Sequence, residues 1–113
     1  MKIYIAEDKA LLSKLVNEAD LLINATKLGM GQDIDKNPLD DKIKLPKHIC
    51  ILDLIYNPGE TKLLERAKRE ACTKYSNGLP MLVYQGVMAF EYFTDKQIDI
   101  SYIFTRLENA FKI

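Results

Sequence analysis

Apolar positions change their spacing several times along the chain, and each change marks an element. Leu11, Leu12, Leu15 and Val16 recur at helical spacing and predict a helix over Asp8 to Glu18, with a short strand over Lys2 to Ile5 before it. Asp20 to Asn24 reads as a second, buried strand. His48 to Tyr56 holds Ile49, Cys50, Ile51, Leu52, Leu54 and Ile55, a nearly unbroken apolar run suited to an interior parallel strand covered on both faces. After the turn Asn57-Pro58-Gly59, Thr61 is placed to cap a helix whose apolar side is Leu63, Leu64, Ala67 and Ala71. Its charges, Lys62, Glu65, Arg66, Lys68, Arg69 and Glu70, read as a solvated face. Thr73 to Ser76 forms another short strand. Pro80, its φ already helical, then opens a helix to about Phe93. A last helix starts at Asp99, with Ile100, Ile103, Phe104, Leu107 and Phe111 as its stripe.

Alternating strands and helices predict an α/β fold with a mostly parallel sheet of three to four strands flanked by helices. Gly29 to Lys47, with two glycines and two prolines among charges, reads as a long loop, and loops of that length in compact domains are often functional.

Composition narrows the classes. The 113 residues suit one small domain. Sixteen basic residues balance sixteen acidic ones, so there is no basic excess to bind nucleic acid. No apolar run approaches the roughly 20 residues that span a bilayer, and the start Met1-Lys2-Ile3-Tyr4 lacks a signal stretch, so a cytoplasmic location and no membrane partner are expected. Cys50 and Cys72 are expected as buried free thiols. His48, the one histidine, precedes a strand and has no catalytic setting. No group of Cys, His, Asp and Glu has metal-ligand spacing, and no serine or cysteine sits in a nucleophile context.

Three segments stand at the ends of predicted strands, where open α/β sheets bind their ligands. They are Asn24-Ala25-Thr26-Lys27-Leu28-Gly29-Met30, Asp53-Leu54-Ile55-Tyr56-Asn57-Pro58-Gly59-Glu60-Thr61, and Asn77-Gly78-Leu79-Pro80-Met81-Leu82-Val83-Tyr84-Gln85-Gly86. Asn24 and Thr26 can hydrogen-bond a ligand, or simply build a turn, while Ala25 lets a ligand near the backbone. Asp53, a charge within an apolar strand, is expected to cap backbone groups at the strand end. Gly78 permits close backbone approach. Met81 and Gln85 share a helical face, one offering an apolar surface to a flat ring and the other an amide to a hydroxyl.

The patterns N-A-T-x-x-G-M, D-L-x-Y-N-P-x-E-T-x-L-L and N-G-x-x-M-L-x-x-Q-x-x-x-A-F, in that order between about Ala19 and Phe93, resemble shikimate dehydrogenase. The resemblance implies the carboxy-terminal part of a Rossmann-like NADP-binding domain. It further implies reversible hydride transfer between NADPH and 3-dehydroshikimate, giving shikimate, in aromatic amino-acid biosynthesis. On that basis Asn24, Ala25, Thr26, Leu54, Gly78, Met81 and Leu82 are cofactor-binding, and Tyr56 and Gln85 substrate-binding. The family's catalytic lysine and aspartate lie in an amino-terminal substrate domain without a counterpart here, and no G-x-G-x-x-G occurs. Residues 1–113 are therefore expected to be the carboxy-terminal half of a dinucleotide-binding domain, inactive alone. Pro80 stands where a second glycine is frequent in the family, and Lys62 where proline is frequent. A non-catalytic remnant serving protein contacts, and a quinate dehydrogenase relative, are the alternatives. In the parent strand order, Asp20 to Asn24 would normally pair with a strand this chain lacks. That edge is expected to be repaired by Lys2 to Ile5 folding against it or, in preference, by pairing across a two-fold axis in a homodimer.

Overall fold

The computed structural model describes residues 1–111, the last of them by its backbone alone. It divides into one unit over Met1–Asn77 and a second that begins at Gly78.

The first unit is built on three parallel strands, β1 (Leu21–Asn24), β2 (Cys50–Asp53) and β3 (Lys74–Ser76), in the order β1-β2-β3. Leu22 pairs with Ile51, and Ile51 with Tyr75. Helix α1 (Lys9–Glu18) precedes β1, and Asp8 caps it by accepting from the Leu11 N–H at 3.0 Å. Helix α2 (Lys62–Arg69) links β2 to β3, and the Thr61 hydroxyl caps it by accepting from the Leu64 N–H. Val16, Ile49, Ile51, Leu63, Leu64 and Ala67 form the core with Cys72 and with Leu39, Ile43 and Leu45. Each large aliphatic chain buried there contributes about 1.5–3 kcal/mol over leaving it in water.

Several elements differ from the sequence pattern. Lys2 to Ile5 is not a strand: its side chains are exposed, and the segment joins no ladder. Strand preference expresses packing against neighbours, and no strand pairs with these four residues. The apolar run His48 to Tyr56 yields a strand only at Cys50–Asp53, the length over which β1 offers a partner. Its faces are unequally covered, because Ile51 and Asp53 are buried while Cys50 and Leu52 are half-buried. Ala71 does not extend the apolar side of α2. It adopts a left-handed φ of 63° past the helix end and is exposed.

The charged face of α2 is not wholly solvated either. Arg66 is 1% exposed. Its guanidinium donates to the carbonyls of Asp40 at 3.0 Å, of Leu39 and Asp41 at 3.5 Å, and of Ile43, while Nε donates to Glu70 at 2.7 Å. Glu70 in turn accepts from the Leu45 N–H at 2.7 Å. The loop from Gly29 to Lys47 is thereby drawn into the core, with a single 3-10 turn at Gly31–Asp33.

The second unit is a pair of helices, α3 (Leu79–Thr94) and α4 (Ile100–Phe111). Pro80 is the second helical residue of α3, one later than its preference for the first suggests. Asp95, with a left-handed φ of 54°, ends α3 and returns its N–H to the Glu91 carbonyl at 2.9 Å. Asp99 accepts from the Ser101 N–H at 3.0 Å at the start of α4. Ile100, Ile103, Phe104 and Leu107 are half-buried, and Phe104 meets Tyr84 edge-on at a ring separation of 5.7 Å. Phe111, the last position expected on that stripe, falls outside the described side chains.

Candidate functional site

The first two sequence segments leave β1 and β2 at the same end of the sheet, and hydrogen bonds join them. Asn24 is buried, and its amide is used completely. Oδ1 accepts from the Thr26 N–H at 3.0 Å and from the Thr26 hydroxyl at 2.7 Å. Nδ2 donates to the Leu28 carbonyl at 3.2 Å and to Asp53 at 3.1 Å. Thr26 Oγ1 also accepts from the Leu28 N–H at 3.2 Å, so the turn 24–28 is closed by its own side chains. Ala25 and Thr26 stay exposed at its tip.

Gly29 completes this turn at a φ of 115°. A Cβ there would meet Ile55 Cδ1 at 3.3 Å and Thr61 Cβ at 3.4 Å, so both the backbone angle and the space favour glycine.

At the end of β2, Asp53 is fully buried and satisfied. Oδ1 accepts from Asn24 and from the Ile55 N–H at 3.1 Å, and Oδ2 from the Thr61 hydroxyl at 2.6 Å. The Leu54 N–H bonds the Asn24 carbonyl at 3.0 Å. Leu54 is half-buried beyond this network, and Tyr56 is 50% exposed. The bond from Asn24 to Asp53 could not be read from sequence, because only the pairing of Asn24 with Asp53 in the ladder brings them together.

In the second unit Gly78 is buried at the cap of α3, in ordinary right-handed helical geometry. Met81 and Leu82 are 45% and 38% exposed. Gln85 is exposed, and its Nε2 turns back to the Leu82 carbonyl at 2.9 Å.

An open depression of about 680 Å³ in the first unit is lined by charges of both signs, among them Asp35, Asp41, Lys42 and Arg69, and by none of the candidate residues. Among the described residues no group of His, Cys, Asp and Glu could hold a metal ion, and no helix is long and apolar enough to cross a membrane. Both cysteines are free. Burial first, and the nearby Glu70 charge second, push the Cys72 thiol above its ordinary range.

Residues 78–103 match the family model described as the shikimate 5'-dehydrogenase C-terminal domain. The shikimate dehydrogenase (NADP(+)) of Alkaliphilus oremlandii is 45% identical over 92 residues, which are 81% of this chain and 32% of that protein. The corresponding enzyme of Streptococcus sanguinis is 42% identical over 106 residues, 94% of this chain and 36% of its own. The crystal structure of the Listeria monocytogenes shikimate 5-dehydrogenase with shikimate and NAD superposes with a TM-score of 0.88 at 33% identity, covering 94% of this chain and 36% of that one. The chain spans about a third of the length of the relatives it matches.

Proposed function

We propose that this chain, similar in sequence and fold to the carboxy-terminal part of shikimate dehydrogenases, supplies nicotinamide and shikimate contacts to an NADP-dependent shikimate dehydrogenase. The reading rests most on one observation: the Asn24-Ala25-Thr26 and Asp53-Leu54-Ile55-Tyr56 segments are tied together at the carboxyl ends of adjacent parallel strands, where open α/β sheets receive dinucleotides. Exposed Ala25 and Thr26 and half-buried Leu54 fit the nicotinamide end of the cofactor. No glycine turn is present for the pyrophosphate.

When bound, the cofactor supplies the hydride. The residues of this chain orient. Ala25 and Thr26 offer a turn already closed from within, and Asn24 shapes it, since its own amide has no bonding position left. Leu54 presents an apolar edge and Tyr56 a hydroxyl toward the substrate. Gly78, buried at the cap, sets the start of α3, on which Met81 and Leu82 offer the nicotinamide an exposed apolar surface and Gln85 offers a shikimate hydroxyl its amide. The proton is handled by the lysine that the resemblance assigns to the substrate domain, so this chain carries binding groups and no catalytic residue. As a part of such an enzyme it acts in the cytoplasm.

The test is a pair of titrations on the isotopically labelled chain. NADP+ should shift the amides of Ala25, Thr26 and Leu54, and shikimate those of Tyr56 and Gln85. The affinities should be weak, on the order of millimolar or about −4 kcal/mol. Shifts confined to other segments, or none at saturating ligand, contradict the assignment.

A further inference from the structure

Asp53 is the most enclosed acid described in the chain, and the binding reading gives it no contact with ligand. It has 0% exposure and three donors on its two oxygens, each from a different element: the Asn24 amide at the end of β1, the Ile55 N–H just beyond β2, and the Thr61 hydroxyl at the cap of α2. A buried carboxylate is costly without such partners. Stabilising the sheet alone would not require the donors to come from the two turns that flank the candidate site.

We infer that Asp53 is the positioning residue of this site. Its carboxylate fixes the Asn24 amide, so that Asn24 Oδ1 faces the Thr26 N–H and hydroxyl. The same oxygen holds the Ile55 N–H, which sets the backbone between Leu54 and Tyr56. Thr61 closes the clamp by donating to Asp53 while accepting from the Leu64 N–H, which ties α2 to the same point. Asp53 acts on a ligand only through Thr26, Leu54 and Tyr56, and this role rests on the binding reading above.

Substitution separates the roles. In Asp53→Asn the amide oxygen can accept from Asn24 and Ile55 while its NH2 donates to a reversed Thr61 hydroxyl. Asp53→Ala removes every bond. Hydrogen exchange of the full 113-residue chain is the readout, with the Ala67 amide in the core of α2 as the reference for global opening.

Asp53→Ala should speed exchange at Ile55, and also at Thr26, which never touches Asp53, by about tenfold relative to Ala67. Asp53→Asn should leave both near wild type. The inference is overturned if Thr26 keeps its protection in Asp53→Ala, or if Thr26 and Ala67 accelerate equally. If Asp53→Ala does not fold, Asp53→Asn decides. A folded Asn variant with Thr26 and Ile55 protected upholds the role, and an unfolded one, or one losing Thr26 protection alone, overturns it. NADPH added to the wild-type chain judges the reading beneath. If Ala25 and Leu54 do not respond, the dinucleotide assignment fails, while the exchange pattern still decides whether Asp53 sets the turns.

Discussion

Glu70 holds two bonds that draw a loop into the core. Burial alone would push its carboxyl up, but the Leu45 N–H and the Arg66 guanidinium outweigh that and hold it below the ordinary value of 4.5. A carboxyl depressed in the folded state contributes stability above its unfolded value and loses it as pH falls through the folded one. Unfolding midpoints should therefore drop on acidification below about 4.5 more steeply for wild type than for Glu70→Gln. Parallel pH profiles would contradict this. Arg66→Ala strands the carbonyls of Leu39, Asp40, Asp41 and Ile43 together with Glu70. It should cost about 3–5 kcal/mol in denaturant unfolding, and a loss under about 1 kcal/mol would place the burial of Arg66 in error. The two residues differ in legibility. An acid inside an apolar run must find donors, so the capping role of Asp53 follows from sequence. Nothing in the spacing of the α2 charges marks Arg66 as the one that turns inward, because its partners are loop carbonyls brought near by the fold.

At the scale of elements, the parallel sheet, the helix before β1 and the helices before and after β3 follow from periodicity and turn residues. Failures cluster where a neighbour decides. Lys2 to Ile5 has strand composition but no ladder to join, and the end of β2 is set by its partner. The segment from Gly29 to Lys47 reads as a long loop by composition, yet Leu39, Ile43 and Leu45 are core residues, held by Arg66 and Glu70 more than twenty residues downstream. Since Lys2 to Ile5 does not cover it, the outer edge of β1 is left with Leu21 and Ile23 about half exposed, at 53% and 49%. An open apolar edge pairs readily with another chain. Sedimentation equilibrium of the isolated chain should accordingly give a dimer, and Ile23→Lys, which puts a charge on that edge, a monomer. A monomeric wild-type chain would exclude pairing through β1.

Across the whole molecule, three separated sequence blocks fall at strand ends. Motif order survives in sequence and brought these segments forward as candidates; the internal bonding that consumes the Asn24 amide did not show there. The chain spans about a third of the length of the relatives it matches, and its proposed share of the chemistry is binding. Alone it should not oxidise shikimate with NADP+, since acid–base catalysis contributes about 10²- to 10⁴-fold and is assigned elsewhere. The most direct measurement places it within a full-length relative, replacing the matching third of the Streptococcus sanguinis enzyme with this chain and following NADPH formation from shikimate. The chimera should turn over while the chain alone does not, and Gln85→Ala in it should raise the KM for shikimate about 2- to 13-fold with NADP+ affinity unchanged. A folded chimera without activity, or turnover by the chain alone, would contradict the proposed function.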